Sequence, residues 1–210
     1  MSEIKPDESG LPLPISNPFS TRFVRPDAME FRFAPGPKLR QIIHRLWDKG
    51  CWGQIVGPHG SGKSTMVAML LRHASSYGIR AVPFTLHDDQ RRMPAGWKRT
   101  VWEAFDRGRS TMVIVDGYEQ LSRFSRWRLS HICRTSGWGL LVTTHVPVGL
   151  PMLYRTSTNV ELAEMLVAML LDGYDSSIDH KIIRDAYHRH DGNLRMVFRD
   201  LFDHYEQTRS

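Results

Sequence analysis

Nine consecutive residues, Gly57-Pro58-His59-Gly60-Ser61-Gly62-Lys63-Ser64-Thr65, constrain this chain more than any other stretch. They follow a short apolar run, Cys51–Val56 (CWGQIV), which reads as a strand. They precede Met66, Met69, Leu70 and His73 at helical spacing, a run that ends near Gly78. The segment is therefore a tight turn from strand to helix, spelled G-x-x-x-x-G-K-[ST]. The chemistry explains the spelling. Glycines let the backbone curl so that successive N–H groups face a common point, and the helix beginning near Gly62 adds the positive end of its dipole. Such a turn suits phosphate oxygens. Lys63 is expected to reach the outer phosphates, Ser64 to offer a hydroxyl to Mg²⁺, and Thr65 to add a second hydroxyl at the phosphate end.

The rest of the chain supplies a scaffold for that turn. Residues 1–36 are rich in Pro, Ser, Asn and Asp and read as an extended lead-in. Leu39, Ile42, Ile43, Leu46 and Trp47 mark a helix between Pro37 and Gly50. Ala81–Leu86 reads as a strand, and its Pro83, which cannot donate to a ladder, places it at a sheet edge. Trp97, Val101, Trp102 and Phe105 mark a helix closed near Gly108. Thr111–Val115 (TMVIV) and Gly139–Thr143 (GLLVT) are continuous apolar runs, the pattern of strands buried on both faces. Residues 122–136 form a basic helix, and Met152–Arg155 is a candidate fifth strand. Strand signals then stop, and three helical stripes follow around Leu162–Leu170, Ile178–Ala186 and Leu194–Tyr205. Alternating strands and helices predict an α/β fold with a parallel sheet and helices on both faces, followed by a small all-helical part. The expected division is a lead-in over 1–36, an α/β core over 37–157 and a helical unit over 158–210.

Two further segments belong with the glycine-rich turn. Met112-Val113-Ile114-Val115-Asp116 is an apolar strand ending in a carboxylate that can hold Mg²⁺. The residue after it is Gly117, and the first acid beyond is Glu119, the candidate base for activating a water. Gly139–His145 ends in Thr143, Thr144 and His145, which lie beside the phosphates if this strand sits between the other two; Thr144 and His145 are expected to be the most open to the site.

Composition narrows the class. The 210 residues suffice to bury roughly 70% of the unfolded surface in a core. With 41% hydrophobic and 24% charged residues the chain is globular. No apolar run reaches the roughly 18 residues of a membrane span, and the N-terminus lacks the basic and apolar regions of a signal peptide. Two cysteines, Cys51 and Cys133, exclude a disulfide scaffold and suggest a reducing cytoplasm. The net charge of +6 is dominated by 22 arginines spread along the whole chain, so charge alone gives nucleic-acid binding little support.

Together these residues resemble the P-loop NTPase superfamily, and within it the AAA+-type and STAND-like ATPases, including the secretion-associated ExeA-like ones. The turn Gly57–Thr65 resembles Walker A and the strand ending at Asp116 resembles Walker B. Asn17-Pro18-Phe19 precedes the first helix, where that family's lead-in touches adenine. Thr143-Thr144-His145 stands at the family's sensor 1, and Asp191-Gly192-Asn193-Leu194-Arg195 resembles the start of its last lid helix, where Arg195 would be sensor 2 and touch the γ-phosphate. The resemblance covers about residues 17–206. It implies ATP and Mg²⁺ as cofactors, with Ser64 and Asp116 on the metal, and a nucleotide-driven switch that acts on a protein partner. It departs in two places. The stretch from His145 to Met152 is too short for the helix that carries an arginine finger, so no oligomeric state is implied. The acid directly after Asp116 is missing.

Two other readings share the motif. A small-molecule kinase uses the same turn but needs an acceptor cavity, and a nucleotide-binding regulator needs no base. No LSGGQ-like stretch points to an ATP-binding cassette, and no N-K-x-D stretch points to guanine. In the basic helix, Leu121, Phe124, Leu129 and Ile132 are expected to pack on the sheet and the arginines to be solvated; the less favoured reading has Arg123, Arg126, Arg128 and Arg134 with Phe124 and Trp127 contact nucleic acid or an acidic partner. His87, Asp88 and Asp89 read as a solvated loop, and the ten histidines show no metal-ligand spacing.

Overall fold

The fold was taken from a computed structural model that describes residues 17–32, 39–105, 109–174 and 178–209. In chain order the elements are α1 (Thr21–Val24), α2 (Leu39–Asp48), β1 (Trp52–Val56), α3 (Lys63–Ala74), β2 (Ile79–Thr85), α4 (Trp97–Glu103), β3 (Ser110–Asp116), α5 (Arg123–Thr135), β4 (Gly139–Thr144), β5 (Met152–Arg155), α6 (Val160–Leu170), α7 (His180–Arg189) and α8 (Leu194–Arg209). Short 3-10 turns follow α3 at Ser75–Tyr77 and β3 at Tyr118–Gln120. The expected helix closure near Gly108 and the Pro37 helix start lie outside the described residues.

The described chain divides into two compact units. One runs from Met29 to Ser157; the other joins residues 17–28 to residues from Thr158 onward. The first contains a five-stranded sheet in the order β2-β3-β4-β1-β5, parallel at every pairing. β4 therefore lies between the strand that leads into the glycine turn and the strand that ends at Asp116. β2, with Pro83, is an edge strand, as its proline requires.

Alternation of side chains builds the core on both sides of this sheet. Met112, Ile114 and Leu141 join Ile42, Leu46, Met66 and Leu70 of α2 and α3 on one face. Val113, Val115, Leu140 and Val142 join Val101, Leu129, Cys133 and Trp138 on the other. Packing at the entry to β4 leaves no room for a side chain. A Cβ on Gly139 would overlap the Cβ of Cys51 and lie 2.6 Å from its carbonyl oxygen. Cys51 itself takes a φ of 62° to turn the chain into β1.

In the second unit α8 presents Leu194, Val197, Phe198, Leu201 and Tyr205 to a buried face. Phe19 fills the gap between two of them, its ring centroid 6.5 Å from Phe198 and 6.3 Å from Tyr205. Asn17 fastens this segment by donating to the Phe202 carbonyl at 3.0 Å and to Glu206 Oε1 at 2.8 Å. Asn159 and Asp179 cap α6 and α7 by accepting from Leu162 N and Lys181 N. Asp200 of α8 bonds Arg189 at 2.6 Å and His190 at 2.8 Å at the end of α7. Among the described residues no helix is long and apolar enough to cross a membrane.

Several helical stripes differ from expectation. Trp47, Trp102, Phe105, Met165 and Met169 are exposed, as are Phe124 and Trp127. On α5 the inward stripe is Leu129 and Cys133. Phe124, five residues before Leu129, lies roughly 140° around the helix at 3.6 residues per turn and so faces outward. The expectation that it packs on the sheet is corrected.

Candidate functional site

β1 delivers the chain into the turn at Gly57, whose N–H donates to the Thr144 carbonyl at 3.1 Å. Only glycine fits there: a Cβ would land on Thr156 Oγ1 and lie 2.6 Å from the Thr156 carbonyl oxygen. Thr156, just past β5, is buried and anchored by its N–H to Val56 O at 2.8 Å. Its hydroxyl meets Ser61 Oγ at 2.6 Å, and Ser61 Oγ also lies 2.8 Å from the Pro58 carbonyl. Ser61 is thus a brace that closes the turn from inside. Gly60 and Gly62 take φ values of 67° and 88°, and Gly62 is the N-cap of α3. The backbone N–H groups of His59, Gly60, Ser61, Gly62, Ser64 and Thr65 find no intramolecular acceptor among the described residues. They line the head of a twelve-residue helix, where the helix dipole is positive.

Lys63 is only 9% exposed. Its ammonium donates to the carbonyls of Gly57 and Pro58, each at 2.8 Å, and lies 3.3 Å from His145 Nδ1. The cation is folded back over its own loop, where it meets these two carbonyls. An entering anion offers it a stronger, charge-assisted partner.

The order of the strands brings a second cluster against this loop. Asp116 ends β3, and its Oδ1 accepts from Thr143 Oγ1 at 2.5 Å; the same hydroxyl accepts from Gly117 N at 2.9 Å. Buried Thr143 thus orients Asp116 rather than facing the loop. Gly117 takes a φ of 85°, and a Cβ there would lie 2.7 Å from the Leu86 carbonyl oxygen. This turn carries Glu119 inward. Glu119 Oε1 is 2.8 Å from His145 Nε2, while its Oε2 is buried with no hydrogen-bond partner among the described residues. His145 Nδ1 lies 3.1 Å from the Gly57 carbonyl, so one imidazole links the acid to the glycine turn. With Nε2 protonated and facing the carboxylate, Nδ1 either accepts from Lys63 or, in the imidazolium, donates to Gly57 O. His59 packs on the same ring, centroids 3.8 Å apart. Burial first, then the neighbouring His145 and Lys63 charges, lowers the His59 pKa and favours its neutral form; Glu119 and Asp88 oppose this.

The sequence-predicted residues thus fall into groups. Gly57 through Thr65, Glu119 and His145 share one cluster, with Asp116 on the Gly117 turn beside it. Ser64 and Thr65 are half-buried in the first turn of α3. Thr144 departs from expectation: it is fully buried, and its hydroxyl donates to the Val146 carbonyl at 2.6 Å, so it is closed to the site. The reason is that β4 is covered along its whole length, so Thr144 is enclosed at the strand end and His145, the first residue beyond it, is the more open side chain. Arg195 is exposed, the second residue of α8 in the helical unit. No helix occurs between His145 and Met152. Burial pushes the Cys51 thiol up to about 11 and the Cys133 thiol to about 12, which removes both as nucleophiles near neutral pH. Among the described residues no cluster of three His, Cys, Asp or Glu side chains is arranged to hold a metal. A hydroxyl and carboxylate pair such as Ser64 and Asp116 is a different kind of donor set.

Three contributors carry no sequence signal of their own. Thr156 acts only because β5 lands beside β1. Phe31 lies over the turn, 3.3 Å from where a Gly62 Cβ would stand, and meets Tyr154 edge-on at 5.8 Å. Arg126 donates to the Glu119 carbonyl at 2.7 Å and to the Leu121 carbonyl at 2.9 Å, fixing the acid's backbone. Protein-family models give no match to this chain, and neither do the curated proteins.

Proposed function

We propose that this protein is a P-loop ATPase that binds ATP with Mg²⁺ in the Gly57–Thr65 turn and hydrolyses it. One observation carries the reading. Loop N–H groups with no acceptor among the described residues and a buried ammonium that donates to loop carbonyls stand at the head of a helix, tied through His145 to an acid with one buried oxygen that has no partner among the described residues. That arrangement is idle without an anion and a proton donor. The strand order supports it too, since β4 lies between β1 and β3 as a γ-phosphate-facing strand must.

In this reading the loop N–H groups and Lys63 bind the phosphates. Ser64 and Asp116 would hold Mg²⁺, which would supply charge neutralisation at the phosphates. Thr143 keeps the Asp116 carboxylate oriented. Glu119 takes the proton of a water through Oε2; the water oxygen bonds the γ-phosphorus and the bond to ADP breaks. His145 holds Oε1 and couples the acid to the turn. The γ-phosphate role of Arg195 rests on the resemblance alone.

The test is Mg²⁺-dependent phosphate release beside ATP binding, for wild type, Lys63→Ala and Glu119→Gln. The expected outcome is turnover by wild type, loss of binding in Lys63→Ala, and binding without turnover in Glu119→Gln, a fall of about a hundredfold or more. Arg195→Ala in the same assay tests that residue. Binding through Lys63 with no phosphate release makes the chain a nucleotide switch. Transfer to an added metabolite makes it a kinase. No binding by wild type overturns the proposal.

A further inference from the structure

The outward face of α5 is not explained by the nucleotide reading. Phe124 is 66% exposed and Trp127 61%, large values for rings of this size. They do not lie flat and apart. The Phe124 and Trp127 rings are 5.8 Å apart and tilted by 31°; Trp127 and His131 are 5.6 Å apart and almost parallel at 11°. Three ring planes therefore climb one ridge of the helix at spacings of three and four residues. Arg123 and Arg128 flank them, exposed and without an acidic partner among the described residues. From Leu121 to Gly137 there is no Asp or Glu. The loop that holds the start of α5, through the Arg91 carbonyl to Ser122 N and Ser125 Oγ, adds exposed Arg91 and Arg92. That loop also carries two exposed acids, Asp88, which accepts from Gln120, and Asp89, whose carbonyl accepts from Arg91 N.

We propose that this face binds single-stranded nucleic acid, with bases stacking on Phe124, Trp127 and His131 and phosphates paired with Arg123 and Arg128. Parallel rings offer faces to other flat rings, and flanking cations match a backbone with one charge per nucleotide. A duplex hides its base faces and would use only the arginines. An acidic protein would need the cations but not the stack. A membrane surface would need a broad apolar face, whereas the apolar stripe of α5 at Leu129 and Cys133 is already committed to the core. The inference does not depend on ATP binding, because none of these five side chains bonds Lys63, Asp116 or Glu119.

The experiment is fluorescence anisotropy of labelled oligothymidylate and oligouridylate with the full chain, across a salt series, against a duplex of equal length. The variants are Phe124→Ala/Trp127→Ala, Phe124→Leu/Trp127→Leu and Arg123→Ala/Arg128→Ala, with thermal melts to establish that each is folded. Wild type is expected to prefer the single strand. Both ring variants should lose about tenfold or more in affinity with the salt slope kept. The leucine pair keeps apolar area without a stackable face, so it separates stacking from general stickiness. The arginine variant should flatten the slope by about 0.7 for each phosphate that is no longer neutralised. The ratio of thymidylate to uridylate affinity distinguishes DNA from RNA as the occupant. The proposal is overturned by no binding at low salt, by equal duplex binding that the ring variants do not affect, or by binding to phosphatidylserine vesicles or polyglutamate in preference to either oligonucleotide. Self-association that the ring variants abolish would overturn it as well.

Discussion

Glu119 divides its carboxylate between two surroundings: Oε1 meets an imidazole and Oε2 meets no partner among the described residues. A buried acceptor left without a donor costs about 1–3 kcal/mol. In the proposed reading that oxygen accepts the proton of the attacking water. The His145 ring is what keeps the arrangement in register, since it touches both Glu119 and the Gly57 carbonyl. Replacing it should separate orientation from binding. His145→Ala is expected to leave ATP affinity nearly unchanged while phosphate release falls about tenfold or more. His145→Gln, whose amide can still donate to Glu119, should recover part of the loss. Steady-state kinetics with a direct binding assay reads both, and turnover unchanged in His145→Ala would remove the ring from the mechanism.

Among the elements, the parallel strands were the most legible part of the chain. β3 and β4 are unbroken apolar runs because both of their faces are covered, and Pro83 marks an edge because it cannot donate to a neighbour. Helix phases were less legible. Phe124 looks like a core residue by composition, yet the inward stripe of α5 is set by Leu129 and Cys133. The turn at Gly57–Thr65 was readable because its spelling is local. The Glu119–His145 pair and the Thr156 brace were not, because each depends on which strands become neighbours.

Close packing at β4 makes a sharp prediction. Gly139→Ala forces a methyl onto Cys51, and unfolding in urea should show a loss of about 3 kcal/mol or more with the m-value unchanged. The junction of α7 and α8 predicts a pH effect. Burial raises the pKa of Asp200, but hydrogen bonds and charge from His190 and Arg189 outweigh it and hold the carboxyl below its ordinary range. A depressed carboxyl pKa contributes stability above its unfolded value, near 3.9, and loses that contribution as pH falls through the folded value. The helical unit should therefore lose stability below about pH 4, and Asp200→Asn should remove this part of the acid dependence and lower stability at neutral pH. Melting curves of the two proteins across pH give the comparison.

For the whole molecule, the decisive contact is that of Phe19 with α8. Its ring is buried between Phe198 and Tyr205, far along the chain, and Phe19→Ala should cost about 3–5 kcal/mol in the helical unit. Limited proteolysis should then cleave within residues 158–209 while 29–157 stays protected. Equal protection in the variant would show that the segment is dispensable.

The fastening of Asn17 to Phe202 and Glu206 also orders events in time. A ribosome makes residues 17–28 well before their partners in residues 158–209. The stretch 29–157 is continuous, so its sheet can form while synthesis proceeds, but the earlier segment must wait, its phenylalanine uncovered, until α8 emerges. That interval is when this chain is most open to aggregation and to capture by chaperones, and it lengthens with every pause in translation after the fifth strand.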